Sequence, residues 1–243
     1  MFRYFGRLVP GTSVREGEWT VEFRCTKEGN CIYSRYMEGD KVKVEEVLSG
    51  VDELYLYPDI YGGENVFYIY LKFNKEIVLA PDSQAYIMVG VPIAIKVVMS
   101  KTIIVKDLEK DREWVEEKRY TIDHIPFSEI VYALYGRPER GILARYYKVK
   151  VGSWLLLKEA PLELLLINNT QDVKKVSKIV FPVFLPKLFY VPGDGKVDVS
   201  PLQVELERGV AVVRRLTDSP RKKGYVEVPE TGKISKWVAI FGL

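Results

Sequence analysis

Apolar and polar residues alternate strictly from early in the chain. Trp19, Val21, Phe23 and Cys25 alternate with Thr20, Glu22 and Arg24, a period of two that predicts a strand with one covered face. Thr26-Lys27-Glu28-Gly29-Asn30 reads as the turn after it and residues 31–37 as the returning strand. Residues 41–47 alternate again, 54–57 run into Pro58, and 66–73 carry the aromatic and β-branched side chains of a well-covered strand. Residues 76–80, 85–91 and 93–99 follow as short strands, broken at Pro81-Asp82-Ser83 and Gly90-Val91-Pro92. A Pro there predicts a bulge or a sheet edge, because it has no N–H to give to a ladder.

The second half continues in the same rhythm. Residues 107–118 suit a helix by propensity, but Leu108, Trp114 and Val115 form no 3.6-residue stripe. Residues 102–106 and 115–122 are therefore expected as two strands around a charged tip. His124-Ile125-Pro126 marks an internal boundary. Beyond it, 129–135 and 142–151 flank the turn Gly136-Arg137-Pro138-Glu139-Arg140-Gly141, with Ser128 able to cap one short helix instead. Strand signals follow at 154–157, 162–167, 176–184, 188–191, 202–206, 210–216, 225–228 and 235–241, with turns at Asn168-Asn169-Thr170, Pro192-Gly193-Asp194-Gly195 and Thr217-Asp218-Ser219-Pro220. Short strands at this spacing predict an all-β protein of two β-sandwich-like halves, mainly antiparallel with little helix. The expected division is a domain at 1–125 and a second at 126–243.

Composition sharpens this picture in three places. The 36 Lys and Arg nearly balance 33 Asp and Glu, but residues 1–125 hold 17 against 21 and residues 126–243 hold 19 against 12. The first half is mildly acidic and the second basic, which raises polyanion binding beside the plainer reading of a solvated surface. Only 8 of 243 residues are Asn or Gln while 69 are charged, the habit of proteins from heat-loving organisms. The uncharged stretch at 83–95 is thirteen residues long and holds Gly90 and Pro92, short of the roughly 20 apolar residues of a membrane span. With no leader at Met1-Phe2-Arg3, the expectation is a soluble cytoplasmic protein.

Chemistry is sparse. The one His, His124, is the sole candidate base for a Ser or Cys triad, and no Gly-x-Ser-x-Gly elbow accompanies it. Cys25 and Cys31 are spaced wrongly for zinc; if they face each other they lie within disulfide reach, whereas the competing register pairs Cys25 with Asn30 and Phe23 with Ile32. Phosphate loops, dinucleotide fingerprints and calcium loops are missing, so no metal or cofactor is expected. A carboxylate pair for hydrolysis has no sequence signature, and sixteen Tyr with four Trp are compatible with sugar stacking. Two basic groups remain: Arg137, Arg140, Arg145, Lys148 and Lys150, then Arg214, Arg215, Arg221, Lys222 and Lys223, with Tyr146, Tyr147 and Tyr225 as aromatic neighbours. Arg145 shares its parity with the inward-looking Leu143, Tyr147, Val149 and Val151, so it is either one half of a buried ion pair or an anion clamp; the other parity puts Ile142, Ala144 and Tyr146 inside. The candidate ligand-binding set is Arg137, Arg140, Arg145, Tyr146 and Arg214.

Residues 132–146, Tyr-Ala-Leu-Tyr-Gly-Arg-Pro-Glu-Arg-Gly-Ile-Leu-Ala-Arg-Tyr, resemble the signature stretch of an archaeal family known as domain of unknown function 432. Ile167-Asn168-Asn169-Thr170 and Val176-Ser177-Lys178-Ile179-Val180-Phe181-Pro182 resemble it too, as does the strand order from Tyr68. The family pattern has a Cys before the Arg–Tyr pair where this chain has Ala144, which removes any thiol role at that point. The resemblance implies an archaeal source and no particular activity. The expected function is a binding or assembly module without a catalytic site, with a protein partner or a second copy as its partner; nucleic-acid binding by the basic half and a carboxylate-dependent hydrolase or carbohydrate binder are the alternatives.

Overall fold

The computed structural model describes residues 5–16, 18–37, 42–107, 112–137, 139–155, 158–208 and 210–232, and among them every regular element is a strand. The first six are β1 (Gly6–Leu8), β2 (Thr12–Glu16), β3 (Trp19–Cys25), β4 (Asn30–Met37), β5 (Val42–Ser49) and β6 (Glu53–Asp59). Then come β7 (Tyr68–Leu79), β8 (Ser83–Pro92), β9 (Ala94–Asp107), β10 (Arg112–Pro126), β11 (Val131–Tyr135), β12 (Ile142–Val149), β13 (Glu159–Asn168) and β14 (Lys174–Pro182). The chain finishes with β15 (Leu188–Tyr190), β16 (Val197–Val199), β17 (Leu202–Leu206), β18 (Ala211–Arg215) and β19 (Val226–Glu227).

These strands fall into two compact units that interleave along the chain. One takes in Pro58–Ile95 and Ile125–Val228, the other Gly6–Tyr57, Lys96–His124 and the chain from Pro229 on. The chain crosses between them at 57/58, 95/96, 124/125 and 228/229, so residues 58–95 pack with the later part of the chain. The reason is pairing: β7 lies between β12 and β14, and β8 lies beside β13. Charge follows the units: residues 58–95 and 125–228 hold 19 Lys and Arg against 15 Asp and Glu.

The unit containing 58–95 is built on two four-stranded sheets, ordered β11-β12-β7-β14 and β18-β17-β13-β8, with a small β16-β15-β19 sheet. Its core is aliphatic, with Ile69 and Leu71 from β7, Leu162, Leu164 and Leu166 from β13 and Leu202 from β17 all 0% exposed. Each such side chain is worth about 1.5–3 kcal/mol of burial. Most pairings are antiparallel, but β12–β7 and β13–β17 run parallel. The break expected between 73 and 76 is a bulge inside the single strand β7: β14 pairs it at Ile77 and resumes at Lys72. Pro92 is the last residue of β8, which is an edge strand.

The other unit holds the sheets β2-β3-β4-β5 and β1-β6-β9-β10. In the β3–β4 hairpin the register sets Cys25 opposite Cys31, and their sulfurs are bonded. Gly29 takes a φ of +84° in the turn, which favours glycine there. Closing so short a loop removes about 2 kcal/mol of chain entropy from the unfolded state. β9 and β10 run up to the charged tip as expected. No strand occurs at Trp154 and Leu155, where the backbone turns instead, and no helix follows Ser128. The strand expected at 235–241 lies outside the described residues. Among those residues no helix is long and apolar enough to cross a membrane.

Candidate functional site

In the β11-β12-β7-β14 sheet, register decides which side chains share a face. Arg145, Tyr147 and Val149 of β12 pair with Ile69, Leu71 and Phe73 of β7, so they point to the core. Tyr146 and Lys148 pair with Tyr70 and Lys72 and point outward.

Arg145 is 0% exposed. Its Nη1 donates to the Tyr61 carbonyl at 2.7 Å and its Nη2 to Ser128 Oγ at 2.9 Å, while Nε has no partner. No ion pair accounts for it: among the described residues no carboxylate lies within salt-bridge distance. Burial holds its guanidinium below the ordinary value. The side chain ties the 61–63 segment and the segment before β11 to β12. Around it, the Tyr147 hydroxyl donates to Glu159 Oε1 at 2.7 Å, and Glu159 Oε2 accepts from the Leu155 amide at 2.6 Å. Burial and the Glu159 carboxylate push the Tyr147 phenol up.

The other expected residues scatter. Arg137 and Arg140 are exposed at the β11–β12 turn, and Arg214 is exposed on β18, an edge strand of the other sheet. Of the second basic group, Arg215 pairs with Asp218 at 2.8 Å, and Arg221 is bound to the buried Asp198 through Nε at 2.7 Å and its amide at 2.8 Å. Arg221 is thus a clip holding its loop to β16. Tyr146 remains, and it has company that sequence inspection missed.

On the outer face, the rows run straight across strands. Tyr146, Tyr70 and Val180 form one row, and Lys148, Lys72 and Lys178 the next. The Tyr70 ring meets Tyr146 at 5.4 Å and Tyr135 at 5.9 Å, both edge to face. Lys178 Nζ lies 5.8 Å from the Tyr70 ring and 5.2 Å from that of Tyr135. Tyr135 is four residues along β11 from the position paired with Tyr146, so the hairpin curls over this face to reach Tyr70. Ala144 is 0% exposed although it shares this face. The signal that could have located the face was parity: Tyr68, Tyr70 and Lys72 alternate with Ile69, Leu71 and Phe73.

Two polar groupings belong to the unit containing β4 and β10. Asp123 accepts from the fully buried Tyr33 hydroxyl at 2.6 Å, pairs with Arg35 Nε at 2.7 Å and accepts the His124 amide at 2.8 Å. The Arg35 guanidinium in turn covers the Trp19 ring at 4.7 Å. Burial first, then the Asp123 charge and hydrogen bond, push the Tyr33 phenol above its ordinary value. An unfolded Tyr loses its proton above pH about 10. This contribution is therefore complete below pH about 10 and is lost as pH rises beyond it. Tyr33→Phe is expected to flatten the fall of thermal stability above that pH; a slope equal to that of the unaltered chain would assign alkaline unfolding to other groups.

The second grouping is an open cavity of about 440 Å³ lined by Asp52, Glu53, Ser100, Thr102, Val115 and Glu117. An acid–base hydrolase needs one carboxyl pushed upward. Here the Thr102 amide holds Asp52 low, Glu53 pairs with Arg7 at 2.8 Å and Glu117 with Arg119 at 2.7 Å. Among the described residues no group of three or more His, Cys, Asp or Glu is placed to hold a metal ion.

Comparison with known proteins adds one relationship. No curated protein and no solved structure matches the chain. A family model does match, over residues 4–241, nearly the whole length and including the 132–146 stretch that carries the hairpin. The chain belongs to the family described as protein of unknown function (DUF432).

Proposed function

We propose that this chain is a binding module rather than an enzyme, and that it holds single-stranded nucleic acid on the outer face of the β11-β12-β7-β14 sheet. The observation that carries this is the row Lys148–Lys72–Lys178. Like charges on directly opposed positions of neighbouring strands destabilise a sheet. Strands lie about 4.8 Å apart, and among the described residues no carboxylate is within salt-bridge distance of any of the three lysines. Apart from the Lys178 contacts with the Tyr70 and Tyr135 rings, the row brings the fold only repulsion, which a phosphate backbone crossing the strands would neutralise. The adjoining Tyr146 and Tyr70 rings offer the aromatic surface on which bases stack, at about 1–3 kcal/mol per base.

The test is fluorescence anisotropy with labelled oligo(dT) and oligo(U) over a salt series. Three phosphate contacts predict a slope of log K against log salt near −2. Changing Lys72, Lys148 and Lys178 together to Gln should flatten the slope, and Tyr146→Ala should weaken binding at every salt concentration. No binding at low salt, or a slope untouched by the triple substitution, rejects the reading.

A further inference from the structure

We infer that two copies of this chain pair through β11, edge to edge and antiparallel, about a two-fold axis at Ala133. This goes beyond nucleic-acid binding and stands or falls separately. Among the described residues β11 is the end strand of its sheet, with β12 as its one neighbour. An open edge normally carries a protective feature such as a charge or a Pro. Of the other edges in this unit, β14 carries Lys174, Lys175 and Lys178, β18 carries Arg214 and Arg215, and β8 ends in Pro92. β11 reads Val-Tyr-Ala-Leu-Tyr and carries none.

Its hairpin is also apolar on both faces. Val131, Tyr132, Leu134, Tyr135, Ile142 and Leu143 are each between 37% and 49% exposed. Val131, Tyr135 and Ile142 share the outer face, and Tyr132, Leu134 and Leu143 the inner one. A partner that covers both at once must continue the sheet.

The charges flanking the strand select a second copy as that partner. Glu129 lies two residues before β11 and Arg137 two after it, and both are exposed. Antiparallel pairing centred on Ala133 sets Val131 of each copy opposite Tyr135 of the other, and Tyr132 opposite Leu134. Just beyond the ladder, the same register brings Glu129 of each copy to the end where the other's chain turns at Arg137, so opposite charges flank it on both sides. The axis falls on Ala133, the smallest residue of the strand, where two identical side chains must meet. An isologous contact of this kind closes after two copies and does not propagate. Because position 133 pairs with itself, both outer faces end on the same side, and the Tyr–Lys rows of the two copies lie in one continuous sheet.

Sedimentation equilibrium of the full chain should show a dimer. Ala133→Cys should cross-link to itself on mild oxidation, since opposed Cα atoms in an antiparallel pair sit about 4.5–5.5 Å apart, within disulfide reach. Glu129→Cys and Arg137→Cys should cross-link with each other when mixed but not each with itself. Arg137→Glu should weaken the dimer about tenfold, as four exposed charges turn repulsive, and adding Glu129→Arg should restore it. A monomer at every concentration overturns the inference. So does a dimer in which Ala133→Cys stays reduced, or one in which the double charge reversal recovers nothing. A monomer that still binds oligonucleotide with the lysine-dependent slope would overturn the dimer alone and leave the proposed function standing.

Discussion

Asp123→Ala is expected to cost about 3–5 kcal/mol, the penalty of removing one partner from a buried charged pair. The carboxylate accepts from Tyr33, from Arg35 and from the His124 amide. Without it, a fully buried phenol and a guanidinium only 13% exposed lose their acceptor together. Tyr33 and Arg35 belong to β4 and Asp123 to β10, so the loss falls where the two sheets of that unit are joined. Asp123→Asn should recover only part of it, because a neutral amide keeps one acceptor oxygen but no charge for Arg35. Chemical denaturation of both variants measures this. A loss under 1 kcal/mol for Asp123→Ala would mean that water or another acceptor takes over the cluster.

The second large effect is at Asn168. Its side chain is 0% exposed and saturated. Nδ2 donates to the Ala80 carbonyl at 2.7 Å and the Asp172 carbonyl at 2.8 Å, while Oδ1 accepts from the Thr170 hydroxyl at 2.7 Å and the Thr170 amide at 3.2 Å. Asn168→Ala strands several of these groups, at about 1–3 kcal/mol for each one left buried without a partner. Asn168→Asp is the sharper variant. It sets an oxygen where Nδ2 faced two carbonyls, so its carboxyl should be held neutral and its pKa raised. A raised carboxyl contributes stability below its unfolded value of about 3.9, and that contribution is lost as pH rises. Asn168→Asp should therefore be less stable than Asn168→Ala at neutral pH and close the gap in acid. Thermal unfolding across pH decides it, and a gap that widens in acid would contradict the assignment.

Local pattern was enough for most strands, but not for β1, β2 and β16, and it marked one at Trp154 and Leu155 that does not form. The alternation around Trp19, Val21 and Phe23 became β3, residues 112–118, where the sparse apolar positions argued against a helix, lie in β10, and the turn at 136–141 joined β11 to β12. What local pattern does not encode is which strand lies beside which. Nothing near Ile69 announces that it pairs in parallel with Arg145, and nothing near Tyr33 points to Asp123, ninety positions away. The same gap explains the expected site. Parity left either face of β12 as the inner one; Arg145 is buried, whereas Leu143 and Val151 of the same parity are exposed, and its acceptors are a backbone carbonyl and a hydroxyl, groups every sequence contains in abundance. Lys72, Lys148 and Lys178 are ordinary surface residues until pairing sets them in one row.

The interleaving of the two units also orders events on the ribosome. The sheets β2-β3-β4-β5 and β1-β6-β9-β10 have every strand in hand once residue 126 has been made. β7 and β8, finished by residue 92, pair chiefly with β12, β13 and β14, of which the first begins at residue 142. Long-range pairing of this kind is slow to close, and unpaired apolar strands invite association while they wait. The nascent chain thus passes through a stage in which these strands of one unit are all made, before the segment from Pro229 that joins β10 at Gly232, while β7 and β8 lack their partners, and a translational pause between residues 126 and 142 would lengthen that exposure.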